Sequence, residues 1–404
     1  MKSKKGSYTV FITLVLCTVL VFLSVVIKVS TDVAVASSVD TIGNLTKQSI
    51  LSEYDLILKK RYGIFAVRLN DYTLSEKVKY YYDYTFSDKH YVDISEVSGH
   101  PLKTLVDGNC FVSQVKDTLL YFGRPELPEY LDIEDEEEIL KNHRVNARWI
   151  LSQLPSHGDC IGIDGNLISN VSINEYLFIY FKDYVNDREL GKTYFRNEIE
   201  YILTGTPDDE KARKEVKTKL ILERNVNNIA YLYSCEEKRQ EALMFAELIA
   251  PEFGPAVQAL ILEAWAFLES VNDVELLYEK KKVPLLKDDS SWAITFENAM
   301  ENILGSDDSE EKTSMEIVED FDYEKEYDTG AIEPDEIKGL TYDDYLKTLL
   351  LLMNEEKKVY RTLDLIQLNM KYIYDETFLI KEYATAFSYD ITVNGRKYSF
   401  EASY

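Results

Sequence analysis

The chain has 404 residues, 46% of them hydrophobic and 12% aromatic, which is enough apolar material for two or three domains and excludes a wholly disordered chain. The net charge of −26 argues against nucleic acid or anionic lipid as a main partner, because both would be repelled. A basic partner or bound cations stay open.

An apolar run without a charged residue covers residues 8–27, and Lys2, Lys4 and Lys5 precede it. About 20 helical residues span the roughly 30 Å hydrocarbon core of a bilayer. Lysines on the short side favour the cytoplasm. The pattern therefore predicts a single-pass cell-membrane protein in which residues 1–29 are a cytoplasmic tip and a transmembrane helix. The remainder is predicted to be extracytoplasmic.

The alternative is a cleaved signal peptide, since Ala34-Val35-Ala36 before Ser37 has the small-x-small pattern of a cleavage site. The apolar run is longer than the usual signal core of about 7–15 residues. Lys28 and Asp32 also separate it from the cleavage pattern. We therefore favour retention, while cleavage after Ala36 stays open.

Beyond the membrane, apolar residues at helical spacing predict that the helix continues as an amphipathic helix to Arg61, with Gly43 as a candidate bend. Its apolar face is predicted to pack against a helix of another subunit or against the chain's own globular body. The sequence leaves these two alternatives open.

Strand patterns follow at residues 64–69, 80–86 and 91–97. Helices are predicted at 111–120, at 134–154 and through most of 171–277, with a glycine-rich turn at 158–166. Thr341 with Asp344 predicts a capping box, and a second helix follows as far as Asn369. Asn394-Gly395 between two alternating segments predicts a type I′ hairpin that joins the earlier strands.

These elements predict an α+β fold, predominantly α, with a long N-terminal helix and a small antiparallel sheet that includes the C-terminal hairpin. Residues 30–304 are predicted to form a helix-rich extracytoplasmic body with a few strands. Residues 305–335 are rich in acid and poor in aliphatic side chains, which predicts a mobile acidic loop. Residues 336–404 are predicted to add helices and the hairpin to the same body.

The sequence contains no G-x-S-x-G, Walker A, G-x-G-x-x-G or H-E-x-x-H motif. We therefore predict no catalytic, cofactor-binding or metal-binding residue and no enzyme. The scattered histidines are predicted to be solvent-facing or satisfied in the core: His90, His100, His143 and His157. Asp320, Asp322 and Glu324 resemble the start of a calcium loop, but Lys325 occupies the glycine position. Cation binding by the acidic loop stays open.

Three cysteines lie beyond the apolar run, Cys110, Cys160 and Cys235, whereas Cys17 lies within it. The odd number and the absence of a C-x-x-C spacing favour buried free thiols, although one disulfide among the three stays open.

Two groups of polar residues in the helical region are predicted to be structural. Glu198 and Glu200 are two residues apart and cannot share a helix face, so at most one of them is expected to pair with Arg224. Ala264-Trp265-Ala266 with Glu269 and Asp273 precedes Val283-Pro284-Leu285 and Trp292, which favours an aromatic core with a polar latch over a substrate pocket.

Several short segments are spread over most of the chain: Lys5-Gly6-Ser7 with Thr9-Val10-Phe11, Glu53-Tyr54-Asp55, Arg61-Tyr62-Gly63-Ile64-Phe65, Asn174-Glu175-Tyr176, Glu198 to Gly205, Ala264-Trp265-Ala266, Val283-Pro284-Leu285, Gly339-Leu340-Thr341-Tyr342, Tyr345-Leu346 and Leu363-Asp364-Leu365-Ile366. In this order they resemble an uncharacterised membrane-protein family of Gram-positive bacteria, a domain of unknown function encoded beside tight-adherence (Tad, Flp-type) pilus genes. The N-terminal helix is also similar to the anchors of TadE- and TadG-like pseudopilins.

A processed pilin is cut after a glycine and carries glutamate at its fifth mature position. Cleavage after Gly6 would place Phe11 at that position here. The resemblance therefore implies an uncleaved structural or assembly component of a Tad pilus or related secretion apparatus. Its implied partners are membrane lipid and pilus or secretion-system proteins, and it carries over no catalytic residues. A membrane-tethered hydrolase of envelope polymers and a surface-binding or sensor module are the alternatives.

Overall fold

The computed structural model describes residues 5–121, 154–155, 167–186, 188, 190–304 and 338–404. The chain forms two compact units, here called the sheet unit (residues 1–110 and 379–404) and the helical unit (residues 111–378). The C-terminal hairpin belongs to the same unit as the N-terminal helix. The predicted turn at 158–166 and acidic loop at 305–335 lie outside the described residues, as does nearly all of the predicted helix at 134–154.

The fold is predominantly helical with one small antiparallel sheet, as predicted. The helices are α1 Lys5–Leu51, α2 Leu56–Tyr62, α3 Asp71–Phe86, α4 Gly108–Tyr121, α5 Leu167–Tyr180, α6 Glu198–Thr204, α7 Asp209–Ser234, α8 Glu236–Ile249, α9 Gly254–Tyr278, α10 Phe296–Leu304, α11 Tyr342–Leu352 and α12 Glu355–Asn369. The strands are β1 Val67–Arg68, β2 Ile94–Thr104, β3 Tyr383–Val393 and β4 Arg396–Ser403.

Strand β3 organises the sheet, because β1, β2 and β4 all pair with it in antiparallel register. The predicted hairpin is confirmed: Val393 pairs with Arg396, and Asn394 and Gly395 between them have φ angles of 49° and 73°. Positive φ at both central residues is the requirement of a type I′ turn. The hairpin joins an earlier strand through β2, as expected.

The predicted strand at residues 80–86 is wrong, since these residues form the second half of α3. Asn70 caps this helix in a capping box with Thr73. Its buried side chains recur every four residues, at Leu74, Val78, Tyr82 and Phe86. That spacing gives a helix one continuous buried face, which outweighs the strand preference of consecutive tyrosines. Of the strand predicted at 64–69, only β1 forms.

The long N-terminal helix ends earlier than predicted. α1 stops at Leu51, and α2 begins after Asp55, whose carboxylate accepts the N–H groups of Ile57 and Leu58 at 2.9 and 2.8 Å. This N-cap starts a new helix. α1 continues through Gly43 without a break. A Cβ atom there would clash with the Phe400 ring, so the glycine allows the close approach of β4.

Each unit has its own hydrophobic core. In the sheet unit, the C-terminal half of α1 and the inner face of α3 pack on the inward residues of β3. In the helical unit, α7, α8 and α9 pack together around Trp265. The predicted capping box at Thr341 and Asp344 begins α11, and α12 ends at Asn369, both as predicted.

Candidate functional site

The N-terminal half of α1 is an exposed apolar rod. All its side chains from Tyr8 to Ser30 are exposed, although most of them are apolar. Its hydroxyl groups donate to carbonyls three or four residues earlier, including Thr13 to Thr9 at 2.8 Å and Ser24 to Val21 at 2.7 Å. Polar hydrogens satisfied within the helix are what a bilayer requires. The helix is long and apolar enough to cross a membrane, a property shared by anchors and signal sequences.

One face of the C-terminal half of α1 is buried within its own unit. Its apolar side chains join the core of the sheet unit: Val35, Val39, Ile42 and Ile50. The hydroxyl of Tyr82 donates to the Val39 carbonyl at 3.3 Å, and that of Tyr389 donates to the Gly43 carbonyl at 3.2 Å. Of the two packing alternatives, the chain's own body therefore takes up this face. The exposed rod continues without a break into this partly buried half of the helix.

A buried group of charges lies between α7 and α9, and we call it the charge latch: Arg224, Glu269, Asp273 and Lys287. Arg224 Nε donates to Asp273 Oδ2 at 2.9 Å, and both side chains are fully buried. Arg224 Nη1 also donates to the Tyr345 hydroxyl at 3.0 Å and to the Leu285 carbonyl at 2.9 Å. Arg224 therefore pairs with Asp273 and not with Glu198 or Glu200, the two acids that the sequence offers as its partners.

Lys287 completes the charge latch from the loop after α9. Its Nζ lies 2.5 Å from Glu269 Oε1 and 2.7 Å from Asp273 Oδ1. Glu269 also accepts the N–H of Ile294 at 2.8 Å, and Trp265 Nε1 donates to the Ile294 carbonyl at 2.9 Å. Two acids facing two cations give a neutral group whose members are all hydrogen-bonded, which is how buried charges are retained. The residues expected to form an aromatic core with a polar latch do so.

The sequence does not single out Lys287, nor Asn228, whose side-chain amide donates to Asp273 Oδ2 at 3.1 Å. The available signal was the pair Glu269 and Asp273, four residues apart on the face of α9 that also carries Trp265 and Leu276. Acids at buried helix positions require partners. The sequence could show this need, but not which distant cation meets it.

A second buried group, the glutamate pair, is built from Glu198 and Glu200 in the short helix α6. Glu198 accepts the N–H of Lys182 at 2.9 Å and the Asn369 side-chain amide at 2.7 Å. Glu200 Oε1 accepts the N–H of Tyr184 at 2.9 Å and the Tyr342 hydroxyl at 2.7 Å. The two acids thus contact different neighbours, as their spacing required.

Glu200 is fully buried, and its environment perturbs its carboxyl group. Burial, and then the negative charge of Asp183, raise its pKa to about 7. Within the described residues, its Oε2 atom and the buried Tyr278 hydroxyl have no hydrogen-bond partner. A carboxyl group of this pKa can hold or release a proton near neutral pH. Because its side chain is fully buried, no substrate reaches it in this conformation.

An arginine clamp next to the glutamate pair ties α11 to the segment after α5. Arg188 Nη2 lies 2.7 Å from an oxygen of Asp183 and 2.7 Å from an oxygen of Asp343. Asn186 adds a side-chain hydrogen bond to Asp343 at 2.6 Å. The contacts are structural, because each oxygen faces a protein donor.

The remaining residues considered from the sequence do not come together. His90 is exposed, and the exposed His100 lies with its Nδ1 3.0 Å from Asp71 Oδ2. Cys110 is buried beside the Thr385 hydroxyl, and burial raises the pKa of its thiol. Cys17, Cys110 and Cys235 are free thiols. Outside the described residues lie His143, His157, Cys160 and the Asp320, Asp322, Glu324 and Lys325 segment.

The part of the chain that the structure describes contains no group of three or more His, Cys, Asp or Glu side chains able to hold a metal ion. The acids of the charge latch, the glutamate pair and the arginine clamp instead accept hydrogen bonds from protein donors within the helical unit.

An apolar stripe lies on the outer face of α7. Leu222, Val226 and Tyr233 are 48%, 69% and 48% exposed. Their spacing of four and seven residues places them on one helix face, opposite the buried Arg224 and Asn228. Contiguous exposed apolar surface is where proteins bind partners, so this stripe is a candidate contact surface.

The fold and these sites define a helix-rich protein that carries an exposed apolar N-terminal helix and closed, internally paired polar groups. Residues 133–395, more than half of the chain, match a family of unknown function (DUF5702), and the chain belongs to this family. The match includes the helical unit from residue 133 and strand β3, whereas α1 lies before it. Neither a curated protein nor a solved structure matches the chain.

Proposed function

We propose that this protein is a single-pass membrane protein, retained uncleaved, whose N-terminus lies in the cytoplasm and whose two units lie outside it. The proposed role is that of a structural or assembly component of a Tad-type (Flp) pilus or a related secretion apparatus, acting through protein contacts. The observation that carries the proposal is α1, an exposed apolar rod that continues without a break into a buried core helix.

Retention is supported by the place at which a signal peptidase would have to cut. The bond after Ala36, which ends the small-x-small pattern, lies inside α1 between the buried side chains of Val35 and Val39. Cleavage there would remove Val35 from the core and would open a helix that the fold uses. Lysines before the apolar run and the bulk of the chain after it support the proposed orientation.

Protein binding is better supported than catalysis. A hydrolase of envelope polymers needs carboxyl groups that face a cleft. Glu200, Glu269 and Asp273 are instead fully buried against protein donors. The stripe on α7 offers an apolar surface of the kind that protein partners cover. The assignment to a pilus apparatus rests on the resemblance described from the sequence and on nothing in the fold.

The test is affinity isolation of the tagged full-length protein from gently solubilised membranes, with mass spectrometry of both the partners and the N-terminal peptide. We expect pilus ATPase-platform or pilin proteins together with an intact N-terminus. A protein that begins at Ser37 and brings no such partner would contradict the proposal.

A matched pair of variants links recovery of the partners to a surface. Val226→Glu places a charge on the α7 stripe, whereas Gln240→Glu adds the same charge at an exposed position on α8. We expect the first variant to lose partner proteins and the second to keep them, with equal amounts of both in the membrane. Equal loss from both would show that the stripe is not the contact surface.

A further inference from the structure

We propose that one end of the sheet unit lies in the phospholipid headgroup layer of the same membrane that α1 spans. We call this end the tip surface and define it as Lys89, His90, Tyr91, Asn394, Gly395 and Arg396. The inference rests on the proposed membrane anchor and adds the orientation of the folded unit relative to the bilayer.

The direction of the hairpin relative to α1 follows from two contacts. The Phe400 ring packs on Gly43, and the Tyr404 hydroxyl donates to the Leu51 carbonyl. Four residues along β4 cover about 13 Å, and eight residues along α1 cover about 12 Å. The strand therefore runs along α1 in the same direction, and the start of β4 points towards the apolar rod.

The height of the tip surface follows from the same geometry. Arg396 lies four residues before Phe400, about 13 Å nearer the rod, which corresponds to a level near residue 34 of α1. The Asn394-Gly395 turn lies a few ångströms further in that direction. The apolar run ends at Ile27, so the turn lies about 7–10 Å from the end of the run. The headgroup layer on each side of a bilayer is about 5–8 Å thick, so its outer edge overlaps the near end of that range, at the level of the turn.

The other parts of the tip surface are held at the same level. Asn394 accepts the N–H of Asp93 at 2.8 Å, and its side-chain amide donates to the Tyr91 carbonyl at 3.1 Å. Phe86, Val92, Ile94 and Val393 belong to the same packed cluster as Val35. The loop after α3 and the hairpin turn therefore form one surface.

The chemistry of the tip surface suits a headgroup layer. Tyr91 is 57% exposed, and exposed tyrosines concentrate at membrane interfaces because the ring is apolar and the hydroxyl is polar. His90 and Arg396 are exposed beside it, and Lys89 lies with its Nζ 5.2 Å from the centre of the Phe86 ring. Asp88 and Asp93 lie in the same loop and offset these charges, so binding is not expected to require anionic lipid.

The experiment uses spin labels on the full-length protein, with its four cysteines replaced by alanine, in vesicles of phosphatidylethanolamine and phosphatidylglycerol. One vesicle set also contains a lipid with a nickel-chelating headgroup, which shortens the relaxation time of nearby labels. Tyr91→Cys and Arg396→Cys place labels on the tip surface. Tyr72→Cys is the matched control. Tyr72 is exposed near the start of α3, about 21 Å along the helix from Phe86, at the end from which the chain enters the tip surface.

We expect a several-fold shorter relaxation time for the labels at positions 91 and 396 in the nickel vesicles, and no change at position 72. A further label in Val21→Cys tests the anchor itself through its accessibility to oxygen. If position 21 lies in hydrocarbon while positions 91 and 396 behave like position 72, the tip inference is overturned and the anchor stands. If position 21 is in water, the anchor fails and the tip inference fails with it.

Discussion

The two units of this protein place their polar and apolar groups in opposite ways. In the sheet unit, the core cluster that packs on α1 is apolar and aromatic, and a long apolar rod is left exposed. In the helical unit, two acids and two cations are buried in the charge latch, and an apolar stripe is left outside. The ionisable side chains of the charge latch are thus buried, whereas the apolar rod and the apolar stripe are exposed. That difference favours a protein that holds partners over one that converts substrates.

The largest effect is expected from breaking the charge latch. Arg224→Ala leaves Asp273 buried with one cation fewer, and removing one partner of a buried ion pair costs about 3–5 kcal/mol of unfolding free energy. Arg196→Ala removes the same side chain from an exposed site and should cost less than about 0.5 kcal/mol. Urea unfolding followed by tryptophan fluorescence measures both, because all three tryptophans lie in residues 111–378. Equal costs would show that the latch does not hold the unit together.

A smaller effect is expected where the rod enters the sheet unit. Gly43→Ala should destabilise this unit by about 1–3 kcal/mol through the clash with Phe400, although alanine is the better helix former. Hydrogen exchange of peptides covering β3 and β4 measures the loss. Asn44→Ala, at the exposed next position, should slow the hydrogen exchange of these peptides or leave it unchanged. Phe400→Ala in the Gly43→Ala background should recover part of the lost protection; additive losses would contradict the close contact.

Glu200 gives a pH-dependent prediction for the helical unit. Its pKa of about 7 in the folded protein lies above the value of about 4.3 expected in the unfolded chain. The folded state therefore holds the proton more tightly, so the group's contribution is complete below pH 4.3 and is lost as the pH rises through 7. Glu200→Gln should remove this fall, worth about 1 kcal/mol per pH unit within the window. Identical pH profiles of the variant and the parent in urea unfolding would contradict the assignment.

The smallest effect is expected from a single hydroxyl in the sheet unit. Tyr82→Phe removes the 3.3 Å hydrogen bond to the Val39 carbonyl while keeping the ring. The expected cost is about 0.5–1.5 kcal/mol, since the carbonyl keeps its helical partner. Tyr80→Phe, an exposed neighbour, should change nothing. Hydrogen exchange in α1 reports both, and a larger loss from Tyr80→Phe would reverse the assignment.

Local signals in the sequence predicted the elements with specific end chemistry. Asn394-Gly395 and the Thr341-Asp344 box each require a particular backbone, and both occur as predicted. The strand predicted from Tyr80 to Phe86 is wrong. These residues have strand propensity, but they continue a helix that Asn70 caps and in which every fourth side chain is buried. The helix predicted to continue to residue 61 is wrong, because Asp55 has extended backbone and caps a separate helix, α2.

The candidate sites were harder to predict, because their contacts join distant parts of the chain. Asp273 pairs with Arg224 and with Lys287, which come from two other segments of the chain, and no spacing rule identifies such partners. The sequence did predict that Glu198 and Glu200 contact different neighbours, because helix geometry alone decides that.

The central claim is that α1 is a retained membrane anchor with both units outside the cytoplasm. It is tested by labelling intact cells with a membrane-impermeant maleimide, using Ser3→Cys and Lys397→Cys separately in a cysteine-free background. We expect label at position 397 in intact cells, label at position 3 only after permeabilisation, and both chains in the membrane fraction. A chain recovered from the medium that begins at Ser37, or label at position 3 in intact cells, would contradict the account.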